Sequence, residues 1–175
     1  MVIGRRTNVN WDNTKPLYIP NDVTETARNK GKLFLVKGID YFFIARNAFP
    51  WNHIPDLVVA RFGYDNFVVA TALANNVSVV DATDTLLAVH QTDVEGNFAG
   101  RNKTRDKHIN THIIFNLIKN DPRSYLRRGH TNSSEYKTIH VGSKLNDTVT
   151  VTVIRRKKIF KLRRTKQKNK TKSTA

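Results

Sequence analysis

The stretch from residue 55 to residue 91 constrains the fold of this chain most, because its largely apolar runs are separated by polar residues. Three runs are four residues long and rich in valine and leucine, which is typical of buried strands. The fourth is eight residues long and is followed by two asparagines, which is typical of a buried helix. The order strand, helix, strand, strand predicts an α/β fold. The strands are expected at 57–60, 77–80 and 86–89, and the helix at 67–74.

Polar side chains follow each predicted strand. Arg61 and Asp65 come after the first strand, Asp81 after the second and His90 after the third. In α/β proteins the carboxyl ends of strands open into crevices at one edge of the sheet, and ligands bind there. We therefore expect these side chains and Tyr64 to converge on one cleft, with Asp81 behind them.

The remaining elements are read from capping residues and apolar patterns. Asn21 is expected to cap a helix that Gly31 ends, and the segment 111–119 is helical or extended. A β-hairpin is expected near the C-terminus. With 175 residues and 39% hydrophobic residues, the chain predicts one domain. The further elements are a strand end at 2–4, the helix at 22–30, a strand at 40–44 and hairpin strands at 136–141 and 148–154.

A series of spaced motifs carries a resemblance to a known family. The motifs are Gly38, Asp40-Tyr41-Phe42, Ala60-Arg61, Gly63-Tyr64-Asp65-Asn66, Val80-Asp81-Ala82-Thr83 and His90-Gln91. In this order they resemble the C-terminal half of GT-A-type nucleotide-sugar glycosyltransferases, in particular a poorly characterised group. The likeness covers residues 1–100 well and 101–150 loosely.

The resemblance implies sugar transfer from a nucleotide-sugar to a hydroxyl acceptor. The implied fold is a partial GT-A-like (Rossmann-like) mixed sheet with helices. The β-hairpin expected from the turn residues and a disordered basic tail expected from the charge run follow it. It divides the chain into the C-terminal part of a GT-A-like domain at 1–130, a β-rich extension at 131–154 and the tail at 155–175.

The family pattern is incomplete in this sequence. The resemblance implies a divalent metal, Mn²⁺ or Mg²⁺, held by an Asp-x-Asp motif, but the chain contains neither that motif nor a glycine-rich phosphate loop. We therefore expect a truncated product that lacks the nucleotide- and metal-binding half and is inactive alone. Its sheet would have an uncovered edge formed by residues 2–3 and 57–60. The alternative is a divergent but complete small protein.

Asp65 is the candidate catalytic residue. It follows a glycine at the expected start of a helix, where free N–H groups stabilise a carboxylate. It would take a proton from the acceptor hydroxyl or bind a sugar hydroxyl; alternatively it only caps the helix. Asn66 would contact sugar or phosphate oxygens, or cap as well.

Arg61 and Tyr64 are candidate substrate-binding residues. A guanidinium can bind a pyrophosphate bidentately and neutralise the leaving group, although Arg61 would instead form a surface ion pair with Asp81 or Asp84. The Tyr64 ring suits stacking on the apolar face of a sugar, or simply packs over the start of the helix.

The other candidates come from the remaining motifs. His90 would contact a metal or pyrophosphate, or be a structural histidine, and Gln91 beside it is assigned to substrate by the resemblance. Asp81 would also bind substrate, and with Thr83 it is expected to form a side-chain turn beneath the site. Asp40 would contact acceptor or donor, or be a turn residue.

The charge of the chain suggests a second function. The net charge is +16, and residues 155–172 contain 11 lysines and arginines and no acid. Such a run is expected to be disordered beyond about residue 160. It would bind nucleic acid, anionic membrane or a nuclear import receptor, and the protein would then be a non-catalytic polyanion binder; alternatively it is a solvated tail without a partner. The chain has no cysteine and no apolar run near the ~20 residues of a membrane helix.

Overall fold

The protein has the predicted α/β fold class. The computed structural model describes residues 1–10, 20–92, 106, 108–142 and 149–156. This part contains four helices and eight strands, and the strands form two mixed sheets. The strands are β1 (Val2–Gly4), β2 (Arg6–Asn10), β3 (Lys32–Leu33), β4 (Tyr41–Phe43), β5 (Val80–Asp81), β6 (Ala88–Thr92), β7 (Tyr136–Gly142) and β8 (Val149–Arg155). The helices are α1 (Pro20–Lys30), α2 (Tyr64–Ala74), α3 (Ile109–Leu117) and α4 (Pro122–Arg128), with short 3-10 turns at Trp51–His53 and Thr131–Ser133.

The chain passes from the larger sheet into the smaller sheet at two places. The larger sheet has the order β4-β1-β5-β7-β8, and the smaller has the order β3-β2-β6. The chain passes from β1 into β2 at Arg5 and, further on, from β5 towards β6. β5 is the parallel neighbour of β1 in the larger sheet, and β6 is the parallel neighbour of β2 in the smaller sheet. The Arg5 backbone N–H donates to Thr83 Oγ1, two residues after β5, at 3.1 Å, so the two chain passages lie side by side.

Helix α2 is the centre of the core. Residues from Asn66 to Ala72 are buried, because the helix packs against the larger sheet on one side and against α4 on the other. Gly63, with a φ of +87°, precedes it in a conformation that glycine adopts most easily. The backbone of Gly129 lies against α2 so closely that a Cβ there would come within 1.8 Å of the Asn66 carbonyl oxygen. This contact is why the turn after α4 has a glycine.

The predicted strand at 57–60 is wrong. The segment forms turns, Ala60 has a φ of +62°, and the Val59 side chain is 66% exposed. Its hydrogen bonds go to a side chain instead of a strand: the fully buried Asn110 amide accepts from Val58 N (2.8 Å) and donates to Val58 O (2.8 Å) and Arg61 O (3.4 Å). The Asn110 side chain thus forms the hydrogen bonds that a neighbouring strand would otherwise form with this backbone.

The predicted uncovered edge at residues 2–3 is also wrong. β1 lies inside the larger sheet, paired with β4 through Val2 and Phe43 and with β5 through Val2 and Val80. The outer strands of that sheet are β4 and β8.

β5 and β6 begin later than predicted, because the residues before each strand form turns. Asn75 N and Val77 N donate to the last carbonyl oxygens of α2, so β5 begins only at Val80. Leu86 N donates to Ala82 O at 2.8 Å, so β6 begins at Ala88 and extends to Thr92. His90 and Gln91 therefore lie inside a strand and not after one.

The other elements agree with the prediction to within a few residues. The helix before Gly31 and the strand at 41–43 are present, the segment 111–119 is helical in α3, and the hairpin is β7–β8. Asn21 lies inside α1 and does not cap it, since the helix begins at Pro20.

The boundary of the basic tail moves. Arg155 belongs to β8, and Arg156 forms an ion pair with Asp81, so both residues belong to the folded part. The predicted disorder of the tail falls on residues 157–175, which lie outside the described residues. None of the described helices is long and apolar enough to cross a membrane.

Candidate functional site

A carboxylate pair lies where the smaller sheet meets α2. The Asp40 carboxylate accepts a hydrogen bond from Arg6 N at 3.3 Å and forms an ion pair with the Arg6 guanidinium. Arg6 also donates through Nε to Asn8 Oδ1 at 2.9 Å and lies 4.3 Å above the Phe34 ring. Asp65, in the first turn of α2, feels the charges of both Asp40 and Arg6. We call Arg6, Asp40 and Asp65 the acidic cluster.

The surroundings of Asp65 make it a candidate base. Burial, and then the negative charge of Asp40, raise the pKa of Asp65 from 3.8 to about 6. Backbone hydrogen bonding at Ile39 and at Asp65 itself, and the charge of Arg6, oppose this rise. A carboxylate with a pKa near 6 is mostly ionised at pH 7 and still basic enough to take a proton. Since Gly63 occupies the cap position, Asp65 is not the N-cap of α2.

Strand register places His90 on the same face as Arg6. Arg6 and Asn8 alternate onto one face of β2, and His90 is the partner of Asn8 in the parallel ladder with β6. The Nδ1 atom of His90 is buried without a hydrogen-bond partner among the described residues. Gln91 is exposed and, as the next residue in the strand, points to the opposite face. His90 and Gln91 therefore cannot serve one site together.

Asp81 belongs to a second polar cluster, at the end of β5. Its Oδ1 accepts from Thr83 N at 3.0 Å, which is the turn that the spacing predicts, and from Thr83 Oγ1 at 2.5 Å. Its Oδ2 accepts from Arg156 Nη2 at 2.6 Å. Both oxygens of the buried Asp81 are thus occupied by protein groups, and its contribution is to join the hairpin to the centre of the sheet.

Tyr41, in strand β4 of the larger sheet, feels the charges of two acidic residues, Asp81 and Asp84. Its hydroxyl lies over Gly4, within 1.8 Å of the position that a Cβ on Gly4 would take. Burial, followed by the charges of Asp81 and Asp84, raises the pKa of Tyr41 to about 12. The phenol therefore stays protonated and is a hydrogen-bond donor, not a base.

Arg61 and Tyr64 flank the start of α2 without joining the acidic cluster through a hydrogen bond. The Nη1 atom of Arg61 donates weakly to Ala60 O at 3.4 Å. The alternative ion pair of Arg61 is wrong, because Asp81 pairs with Arg156 and Asp84 with Lys137. The Tyr64 ring is partly buried against the main core, as the packing alternative expected.

The Asn66 side chain has structural partners. Its Nδ2 donates to Lys37 O at 2.9 Å and to Gly129 O at 3.2 Å, and the residue is 8% exposed. These bonds hold the 37–40 segment, and with it Asp40, against the start of α2. Asn66 therefore positions the acidic cluster.

The described residues do not fit the divalent metal that the family resemblance implies. No group of three histidine, aspartate or glutamate side chains able to hold a metal occurs among them. Asp40 is already ion-paired with Arg6. Among the described side chains, the group best suited to chemistry is therefore the Asp65 carboxyl, whose pKa is raised.

Three contributors to these clusters are absent from the sequence-based list: Arg6, Asn110 and Arg156. Arg6 lies at the start of β2, where alternation places it on the face of Asn8, but nothing in the sequence connects it to Asp40 34 residues later. Asn110 ends the polar stretch 91–110, which the sequence predicts to be a loop, and Arg156 belongs to the predicted basic tail.

Comparisons of the chain with protein-family models, with curated proteins and with solved structures find no match. The likeness to GT-A glycosyltransferases therefore rests on the sequence motifs, and the activity that it implies is a proposal.

Proposed function

We propose that this chain is the acceptor-side part of a glycosyltransferase, which transfers a sugar from a nucleotide-sugar to a hydroxyl group. The observation that carries the proposal is the Asp65 carboxyl, held half-buried at the start of α2 with a pKa of about 6 beside the ion-paired Asp40. The negative charge of Asp40 contributes to the raised pKa of Asp65, and a carboxyl with such a pKa is suited to proton transfer.

In the proposed reaction Asp65 is the general base. The acceptor oxygen forms a bond to the anomeric carbon, the bond from that carbon to the diphosphate breaks, and the hydroxyl proton moves to Asp65. Arg6 holds Asp40 in place through an ion pair, and the negative charge of Asp40 raises the basicity of Asp65. His90 faces the same side of the smaller sheet and is available to contact the sugar.

The nucleotide and metal sites of the family lie outside this assignment. The sequence contains no Asp-x-Asp motif, and the described residues hold no metal-binding group. The 175-residue chain by itself is therefore expected to bind UDP-sugars in the presence of Mn²⁺ no more tightly than millimolar, as measured by isothermal titration calorimetry.

The test of the function uses the natural gene product, tagged at its C-terminus and purified from its source. Nucleotide release is measured with a panel of nucleotide-sugars and Mn²⁺. We expect transfer to fall by about 10²–10⁴-fold in Asp65→Asn, because the base is lost while the shape is kept. Transfer should rise with pH through about 6, where Asp65 ionises.

Asp56→Asn is the matched control, since Asp56 is an exposed aspartate nine residues earlier and should leave transfer unchanged. Absence of nucleotide release from every donor would overturn the function. Release that Asp65→Asn leaves unaffected would remove Asp65 as the base.

A second candidate function follows from charge. Residues 157–172 alone contain nine lysines and arginines and no acid. We propose that this segment gives the protein affinity for polyanions such as nucleic acid, independent of any catalysis.

A further inference from the structure

Within the described part of the chain, the outer edge of β8 lacks the protection that edge strands usually have. β8 is the last strand of the larger sheet, and no described residue pairs with its outer side. With seven residues it is the longest edge strand of the described part, and residues 150–154 contain no charge and no proline. Natural edge strands are usually short or carry lysine or proline, because a free strand edge pairs with other chains.

The β8 sequence is also self-complementary. Residues 149–153 read Val-Thr-Val-Thr-Val, which is the same in both directions. If two copies of β8 pair antiparallel about Val151, the two copies of Val151 lie opposite each other, and Thr150 of each copy lies opposite Thr152 of the other. Directly opposed threonines of this kind are among the cross-strand pairs that stabilise a sheet. Val151 and Val153 are 49% and 55% exposed, so such pairing would cover apolar surface.

The positive charge of the chain also favours antiparallel pairing over parallel pairing. Each copy carries a net charge of +16, much of it just after β8. Antiparallel pairing about Val151 separates the two Arg155 residues by roughly 26 Å along the strands, well beyond the ~8 Å screening length at physiological salt. Parallel pairing would place the two basic ends side by side.

We propose that β8 is the interface at which a second copy of this chain binds, through antiparallel β8–β8 pairing that joins the two larger sheets. This proposal is independent of the glycosyltransferase assignment. A single strand pair buries less than the roughly 1,200–2,000 Å² of a standard interface, so we expect a micromolar dimer. Because the copies repel, added salt should strengthen the dimer, whereas it would weaken an assembly bridged by nucleic acid.

The first test is analytical ultracentrifugation of the nuclease-treated full chain at about 50 mM and about 500 mM NaCl. We expect a concentration-dependent dimer that is tighter at high salt. Val151→Lys should weaken it at least tenfold by placing like charges opposite each other. His140→Lys is the control. His140 is the β7 partner of Val151, so this substitution also introduces a lysine, but one strand away from the edge.

Disulfide trapping provides the second test, since the chain has no cysteine of its own. Under mild oxidation Val151→Cys should cross-link to a dimer. Phe43→Cys, which is exposed at the opposite edge of the same sheet, should not. A chain that stays monomeric at both salt concentrations, or that cross-links equally through both positions, would overturn the proposal.

Discussion

At the scale of single residues, the protonation of Asp65 links the candidate site to stability. Its folded pKa is raised to about 6, so the folded state holds the proton more tightly than the unfolded state. The stability contributed by this group is fully present below pH ~4 and is lost as the pH rises through 6. A buried carboxylate that must ionise at neutral pH thus costs stability, as expected of a group kept for function.

Asp65→Asn should therefore stabilise the fold at pH 7 by about 1–2 kcal/mol, less than the ~2.7 kcal/mol of a fully effective two-unit shift, because the side chain keeps some contact with solvent, which screens its charge. At pH 4 the variant and the parent should be equally stable, since both side chains are then neutral. Urea unfolding at the two pH values measures the difference. Asp56→Asn should show no pH-dependent effect, and a variant destabilised equally at both pH values would contradict the assigned charge penalty.

At the scale of elements, Asn110 connects α3 to the turns that lead into α2. Its buried amide provides three hydrogen bonds to the 58–61 backbone. Asn110→Ala should destabilise the protein by about 2–3 kcal/mol, because buried backbone groups lose their partners. Urea unfolding measures the loss, and hydrogen exchange should show faster exchange at residues 58–61.

Asn116→Ala on the same helix is the control, because Asn116 is exposed and its replacement should change stability by less than about 0.5 kcal/mol. Equal effects of the two substitutions would mean that the Asn110 bonds do not organise this segment.

At the scale of the whole molecule, much of the positive charge follows the last described strand, β8. Arg156 is bound to Asp81, so a truncation that removes the tail and spares the fold begins at residue 157. It removes nine positive charges and lowers the net charge from +16 to +7. Affinity for DNA or heparin should then fall sharply, and the slope of log affinity against log salt should decrease.

Fluorescence titration over a range of salt concentrations measures both quantities. Unfolding by urea should be unchanged by this truncation, whereas a truncation that also removes Arg156 should destabilise the protein. Polyanion binding that survives the removal of 157–175 would assign it to basic residues of the body.

Local patterns in the sequence determined the α/β class, the buried helix α2 and the C-terminal hairpin, because periodicity and turn residues act over a few positions. Tertiary contacts decided the rest. Residues 57–60 have the composition of a strand but lie where Asn110 supplies their hydrogen bonds. Asp81 has the position of a ligand-binding residue but lies within reach of Arg156, 75 residues away. Asp65 and Asp40 were both candidates, yet only the packing of the 37–40 segment against α2 shows that they share one charge environment with Arg6. Such partners depend on which elements pack together, and a single sequence carries no local signal of that.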